Sequence, residues 1–263
     1  MTEIPAGRDR NLVAALSRGI AVLDAYRDGD LWLGNAELAA RSGLPRPTVS
    51  RIARVLAQLG YLAYSSRLRQ YRLGIGTLAL GFAVLADGDV RRVARPHMQA
   101  LANQANALVA LGARDGTKIV HIETCHSATS LVSLRLEVGT HARLAETAFG
   151  RALLAVLPED ERDKLLKRLG HLYGVRWPPL RDAVDSAFAE VARHGFCTIL
   201  GRWQPDINAV GVPLRCPDGT KLALGLAGFA GQMTRKRLQD VIGPRLVEVA
   251  RTIEAELAQT TGR

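Results

Sequence analysis

Residues Leu38 to Leu62 read LAARSGLPRPTVSRIARVLAQLGYL, and this stretch restricts the fold more than any other. The step Ser42-Gly43-Leu44-Pro45 calls for a tight turn, because Gly43 can take the left-handed conformation that ends a helix and Pro45 suits the first turn of the next. Upstream, Asn35 is placed to cap a short helix reaching Ala40, its side-chain oxygen accepting from a first-turn amide. Downstream, Val49, Ile52, Ala53, Leu56 and Leu59 recur at three- and four-residue steps as one apolar stripe, and Gly60 stops the helix. Pro47, Ser50, Arg51, Arg54 and Gln58 fall on the opposite side, with Thr48 at its edge. An earlier helix is marked by Leu16, Ile20, Val22 and Leu23 within Leu12 to Tyr26, with Asp28-Gly29-Asp30 as its stop. Two alternating segments follow, Tyr61 to Tyr64 and Gln70 to Leu73, joined by SSRLR, which is the pattern of a β-hairpin.

Helix, helix, turn, helix, hairpin is the order of a winged helix-turn-helix, whose second paired helix enters the DNA major groove. The charge supports that reading. Between Leu33 and Gly76 the basic residues are Arg41, Arg46, Arg51, Arg54, Arg67, Arg69 and Arg72, against the single acid Glu37. Every basic residue before Lys118 is arginine, which pairs bidentately with phosphate or with a guanine edge. A GC-rich genome favours arginine codons in general, but it does not explain the scarcity of acids in this segment. The formal charge of the whole chain, +10, points the same way. The candidate DNA-binding residues are Arg46, Pro47, Thr48, Ser50, Arg51 and Arg54 on the helix, with Arg67 and Arg69 near the hairpin tip, and the expected partner is a double-stranded DNA operator.

A chain of 263 residues, 48% of them hydrophobic, can build two cores. The expected division is a DNA-binding domain over 1–76, a connecting helix and linker over 77–92, and a second domain over 93–263. That second part alternates helical and strand-like segments, with turns at Asp115-Gly116 and Asp218-Gly219 and a long helix from Thr234 to Leu257. Strands flanked by helices in this order suggest an antiparallel α+β domain. No apolar run is long enough to cross a bilayer and no signal segment opens the chain, so a cytoplasmic protein with no membrane partner is expected.

Chemistry of other kinds finds less support. The chain has no GxSxG elbow, HExxH or Walker-type loop, and LGIGTLALG lacks the spacing of a dinucleotide fingerprint, so an enzyme is not expected and no cofactor is called for. The three cysteines, Cys125, Cys197 and Cys216, are too scattered for a disulfide framework. In IVHIETCH, strand alternation would put His121, Glu123 and Cys125 on one face, which makes a metal- or redox-responsive regulator the alternative reading. Asp206-Ile207-Asn208, with Trp203 and Gln204, reads equally as a polar pocket mouth or as a capped loop.

The sequence resembles the IclR-type bacterial transcriptional regulators over nearly its whole length. The likeness rests on LSRGIAVLDAY, ELAARSGLPRPTVSRIARVLAQLGYL with YRLGIGTLALG, ARPHMQALANQ, VGTHARLAETAFGRALLA and GVPLRCPDGTKLALGLAG. The resemblance implies an α+β protein with an N-terminal winged helix-turn-helix, a connecting helix and a C-terminal GAF-like effector-binding domain, assembled as a homodimer or homotetramer. It implies a small-molecule effector from a catabolic pathway, and an effector pocket walled by Leu131, Leu134, Ala148, Phe149, Gly150, Ile199, Ala209, Gly225 and Ala227. Where relatives that hold small polar acids show acidic, cysteine or serine side chains, Ile199, Ala209, Gly225 and Ala227 offer no hydrogen bond, so an apolar or aromatic acid is expected. Its carboxylate would be held by the free amides of Phe149 and Gly150 at a helix start.

Overall fold

The structure, a computed structural model, describes residues 6–27, 29–86, 89–128, 136–202 and 204–261. It divides into two compact units, Met1–Asp87 and Gly88–Arg263.

In the first unit, α1 (Ala6–Leu23), α2 (Asn35–Ser42) and α3 (Arg46–Gln58) pack around Val22, Ala25, Leu38, Val49 and Ala53. Gly43 closes α2 with φ 70°, and its amide donates to the Ala39 carbonyl at 3.0 Å; this left-handed step is what lets α3 start three residues later. Pro47 lies in the first turn of α3. Asn35 is not the cap of α2. Gly34 holds that position, and the Asn35 amide donates instead to Ser50 Oγ at 2.8 Å, tying α2 to α3. The apolar stripe of α3 is shorter than its spacing suggests, since Leu59 is the C-cap and is exposed. Leu16 and Ile20 on α1 are also exposed, although they mark its helical period.

The hairpin pairs β1 (Leu62–Ser65) with β2 (Gln70–Leu73) in antiparallel register, and an isolated bridge from Leu33 to Tyr71 ties it to the segment before α2. Arg69 takes a left-handed φ of 54° in the turn. The helix after the hairpin, α4 (Ile75–Ala86), falls within the first unit.

The second unit opens with α5 (Asp89–Ala105) and continues through β3 (Leu108–Asp115), β4 (Lys118–His126), β5 (His141–Arg143), α6 (Ala148–Ala155), α7 (Glu159–Tyr173) and α8 (Trp177–His194). Then come β6 (Cys197–Leu200), β7 (Ile207–Arg215), β8 (Lys221–Phe229), a single turn α9 (Arg235–Arg237), a π-helical stretch Leu238–Ile242 and α10 (Gly243–Thr261). Among the described residues the strands form one antiparallel sheet in the order β5-β4-β3-β8-β7-β6. One face packs on α5 and α10 through Met98, Leu101, Leu111, Leu224 and Ile253. The other packs on α6 and α7 through Ile119, Phe149, Leu153, Leu166 and Ala223. Coverage on both faces explains why β7 and β8 read as continuous apolar runs rather than alternating ones.

The helix expected from Thr234 to Leu257 is interrupted by the π-helical stretch, where Phe196 packs against Gly243. The segment Thr129 to Leu136 reads as a strand in sequence and falls almost wholly outside the described residues. No helix among the described residues is long and apolar enough to cross a membrane.

Candidate DNA-binding face and effector cavity

On α3, Arg46, Pro47, Arg51 and Arg54 are exposed, while Thr48 and Ser50 are half-buried. Ser50, Arg54 and Gln58 line a concavity between α3 and the hairpin, together with Tyr64 and Tyr71. Ser50 Oγ accepts from Asn35, which leaves its own O–H to donate outward. Arg67 and Arg69 are exposed in the hairpin turn. Among the described residues, none of Arg46, Arg51, Arg54, Arg67 and Arg69 has an acidic partner. Arg41 differs: it pairs with Asp30 and with Glu37, and its bond holds the Asp30 carboxyl below the ordinary range. The guanidinium of Arg72 stacks over Trp32, 5.1 Å from the ring centre. α3 and the hairpin tip therefore carry five arginines without an acidic partner among the described residues.

In the second unit, β6, β7, β8 and the start of α6 bring together Ala148, Phe149, Ile199, Ala209 and Ala227 around one cavity. The pairing explains the convergence: Ala209 sits opposite both Ile199 and Ala227 across neighbouring strands, so the three share one sheet face. Gly225 is next along that face and packs under Phe149; a Cβ there would lie 2.6 Å from the ring. Leu131 and Leu134 lie outside the described residues. The space enclosed is about 20 Å³, room for one water.

Gly150 does not face the cavity, and its amide is not free. Thr147 caps α6: its Oγ1 accepts from the Gly150 amide at 3.2 Å and donates to the Arg143 carbonyl at 3.1 Å. The sequence TAFG carries this cap as Thr three residues before Gly, a signal that competes with any ligand for the helix start. Of the expected pair of free amides for a carboxylate, that of Gly150 is thus corrected.

Sequence reasoning missed three walls, Leu136, Ala142 and Thr147, offered Ile207 only as part of an ambiguous loop, and placed His121 in the wrong setting. His121 lines this cavity at 1% exposure, edge-on to Phe149 with ring centres 5.6 Å apart. Burial lowers its pKa from the ordinary histidine value. The expected common face of His121, Glu123 and Cys125 is absent because β4 bulges at Ile122, where the register to β3 slips between Leu111 and Gly112. Antiparallel partners share a face, so Glu123 and Cys125 follow Leu111 and Val109 toward α5, while His121 follows Gly112 toward α6. Glu123 is buried against Arg91 and Arg95, at 2.9 Å from Arg91. Among the described residues no group of ligands is arranged to hold a metal. The Cys125 thiol is pushed up to about 11 by burial, and that of Cys197 to about 12, which disfavours the reactive thiolate.

Asp206-Ile207-Asn208 divides between its two readings. Asn208 is a structural clamp, accepting from the Gly201 amide at 2.9 Å and donating to the Met233 carbonyl at 2.8 Å, whereas Ile207 faces the cavity. Trp203 lies outside the described residues.

A family model for the bacterial transcriptional regulator IclR C-terminal domain matches residues 82–255, and one for the IclR helix-turn-helix domain matches residues 15–66. The chain belongs to the IclR family. As an IclR-family member it is a DNA-binding transcriptional regulator with an effector-binding C-terminal domain, and its relatives are regulators rather than enzymes. It is 33% identical to the HTH-type transcriptional regulator TsaQ1/TsaQ2 of Comamonas testosteroni, over 94% of this chain and 89% of that relative. The crystal structure of an IclR-family regulator from Brucella abortus superposes with a TM-score of 0.87 at 38% identity, covering 97% of each chain. An IclR homologue from Microbacterium hydrocarbonoxydans, crystallised in complex with 4-hydroxybenzoate, shares the fold with a TM-score of 0.70 at 20% identity, over 93% of this chain and 99% of that one.

Proposed function

We propose that this IclR-family regulator reads a pseudo-palindromic operator as a homodimer or homotetramer and responds to an apolar or aromatic acid from a catabolic pathway. On this reading Arg46, Pro47, Thr48, Ser50, Arg51 and Arg54 meet the major groove, and Arg67 and Arg69 meet flanking phosphates. The effector lies among Leu131, Leu134, Ala148, Phe149, Ile199, Ala209 and Ala227, with Gly225 behind Phe149. Oligomerisation is supported by apolar side chains left exposed in the first unit, Leu16 and Ile20 on α1 and Leu78 and Phe82 on α4.

The observation that carries the effector class is the lining of the cavity: Phe149, Ile199, Ile207, Ala209 and Ala227 present only carbon, and His121 and Thr147 are the polar side chains among the described walls. A small hydrophilic acid would leave its polar atoms unpaired there, at a cost of about 1–3 kcal/mol for each group. A cavity of one-water size also means that an effector has to spread the walls. Such a ligand binds the spread state in preference to the closed one, and this difference in affinity is what shifts a regulator between states. A protein of this fold complexed with 4-hydroxybenzoate, an aromatic carboxylate, is in keeping with this class.

The test is a thermal-shift screen of aromatic acids against pyruvate and glyoxylate, followed by operator anisotropy with DNA from the region flanking the gene. Aromatic acids should raise the unfolding temperature and change operator affinity. A response to the hydrophilic acids without one to any aromatic compound would refute the effector class.

A further inference from the structure

The cavity has one ionisable side chain among its described walls, and the bonds around it decide what it can offer a ligand. His121 Nδ1 lies 3.1 Å from the Thr140 carbonyl oxygen and 3.0 Å from Thr140 Oγ1. The Thr140 hydroxyl spends its own proton on the Glu137 carbonyl at 2.7 Å, so toward the imidazole Oγ1 can only accept. Both neighbours of Nδ1 are acceptors, and Nδ1 must therefore carry the hydrogen. In a neutral ring Nε2 is then left with a lone pair, and it has no hydrogen-bond partner among the described residues. The ring is 1% exposed and lines the cavity with Phe149 and Ala142, so the cavity is where a ligand can reach it.

We infer that His121 is the polar anchor of the effector cavity and that it accepts a hydrogen bond through Nε2, so that the site selects aromatic ligands bearing a hydroxyl group. The inference rests on the effector reading above and narrows it from aromatic acids to hydroxylated ones. Burial keeps the imidazole neutral by lowering its pKa, which the Thr140 bond opposes and the nearby His141 reinforces. A carboxylate without a hydroxyl brings negative charge against the lone pair and gains nothing from it. A phenolic O–H gives that lone pair a donor beside the carbon-lined walls, and an ether has no proton to give it.

The experiment compares phenol with anisole, which keeps the ring and the oxygen but has no proton to donate, by titration calorimetry on the full-length protein and on His121→Phe. Wild type should prefer phenol by about tenfold or more, the factor expected for one buried hydrogen bond, and His121→Phe should bind the two within about twofold of each other. Equal affinity of wild type for phenol and anisole would overturn the anchor while leaving the apolar effector site standing. Binding of neither probe, together with no aromatic response in the operator assay, would remove the effector reading itself. Nitrogen-15 spectra of wild-type protein provide a readout that does not depend on the variant folding. They should show His121 protonated at Nδ1, with phenol moving the Nε2 resonance; protonation at Nε2 in the free protein would refute the inference.

Discussion

Replacing Gly225 with alanine tests the packing on which the cavity depends. Gly225 lies in β8 between Ala110 on β3 and Gly211 on β7, and its missing side chain is covered by the Phe149 ring. An added Cβ would stand 2.6 Å from Phe149 Cε1 and Cζ and 2.8 Å from Cδ1. Carbon atoms rest at about 3.5–4.0 Å, so the ring must retreat by about 1 Å. Its room to retreat is the cavity of about 20 Å³, with His121 on the far side. Overpacking of this kind costs about 1–3 kcal/mol, offset by about 0.5–1 kcal/mol because alanine loses less chain entropy than glycine. For a unit of this size each kcal/mol moves the midpoint by about 2–4 °C, so Gly225→Ala should unfold at most about 10 °C early and should bind phenol more weakly. A double-mutant cycle with Phe149→Ala isolates the clash. Phe149→Ala alone should cost about 3–5 kcal/mol, and in its background Gly225→Ala should become neutral or stabilising, a coupling of about 1–3 kcal/mol. If Gly225→Ala is equally destabilising in both backgrounds by thermal denaturation, the ring is not what excludes the side chain and the account of the cavity fails.

Arg51→Ala and Arg54→Ala should each weaken specific operator binding by about 1–3 kcal/mol in fluorescence anisotropy, and unchanged affinity in both folded variants would remove α3 from the groove. Arg67→Ala should instead weaken binding to all sequences and reduce the slope of log affinity against log salt by about one, as expected for a lost phosphate contact; a loss confined to the operator would mean that the hairpin reads bases. Ala227→Asp should abolish the effector response by placing a carboxylate against carbon walls while operator binding persists, and a normal response would mean that the effector lies elsewhere. The lowered pKa of His121 means that the unfolded chain binds the proton more readily than the folded one. Its contribution to stability is therefore complete well above the unfolded value of 6.5, starts to be lost as pH falls below it, and is gone once pH has fallen through the lower folded value. The unfolding temperature of wild type should then fall further than that of His121→Phe between about pH 7.5 and about pH 5.5, and parallel profiles would contradict the burial of a neutral ring.

The winged helix was legible in the sequence because its determinants are local. The turn at Gly43, the period of Val49, Ile52, Ala53 and Leu56, and the hairpin alternation each depend on residues a few positions apart. The resemblance also supplied cavity residues, and Ala148, Phe149, Ile199, Ala209 and Ala227 do converge. What could not be read was anything set by partners distant in the chain. Alternation alone assigns His121, Glu123 and Cys125 to one face, yet a bulge that exists only when β4 pairs with β3 sends His121 to the other. Thr147 is a miss of another kind: its cap is local and written in TAFG, and its hydroxyl takes the Gly150 amide that was expected to be free. Asp30 lies just outside the basic segment in sequence but neutralises Arg41 within it. Periodicity along one chain determines which elements form, because propensity and turn chemistry act over a few residues. Strand register and long-range ion pairing determine which way each functional group points, and these are fixed only when distant segments meet.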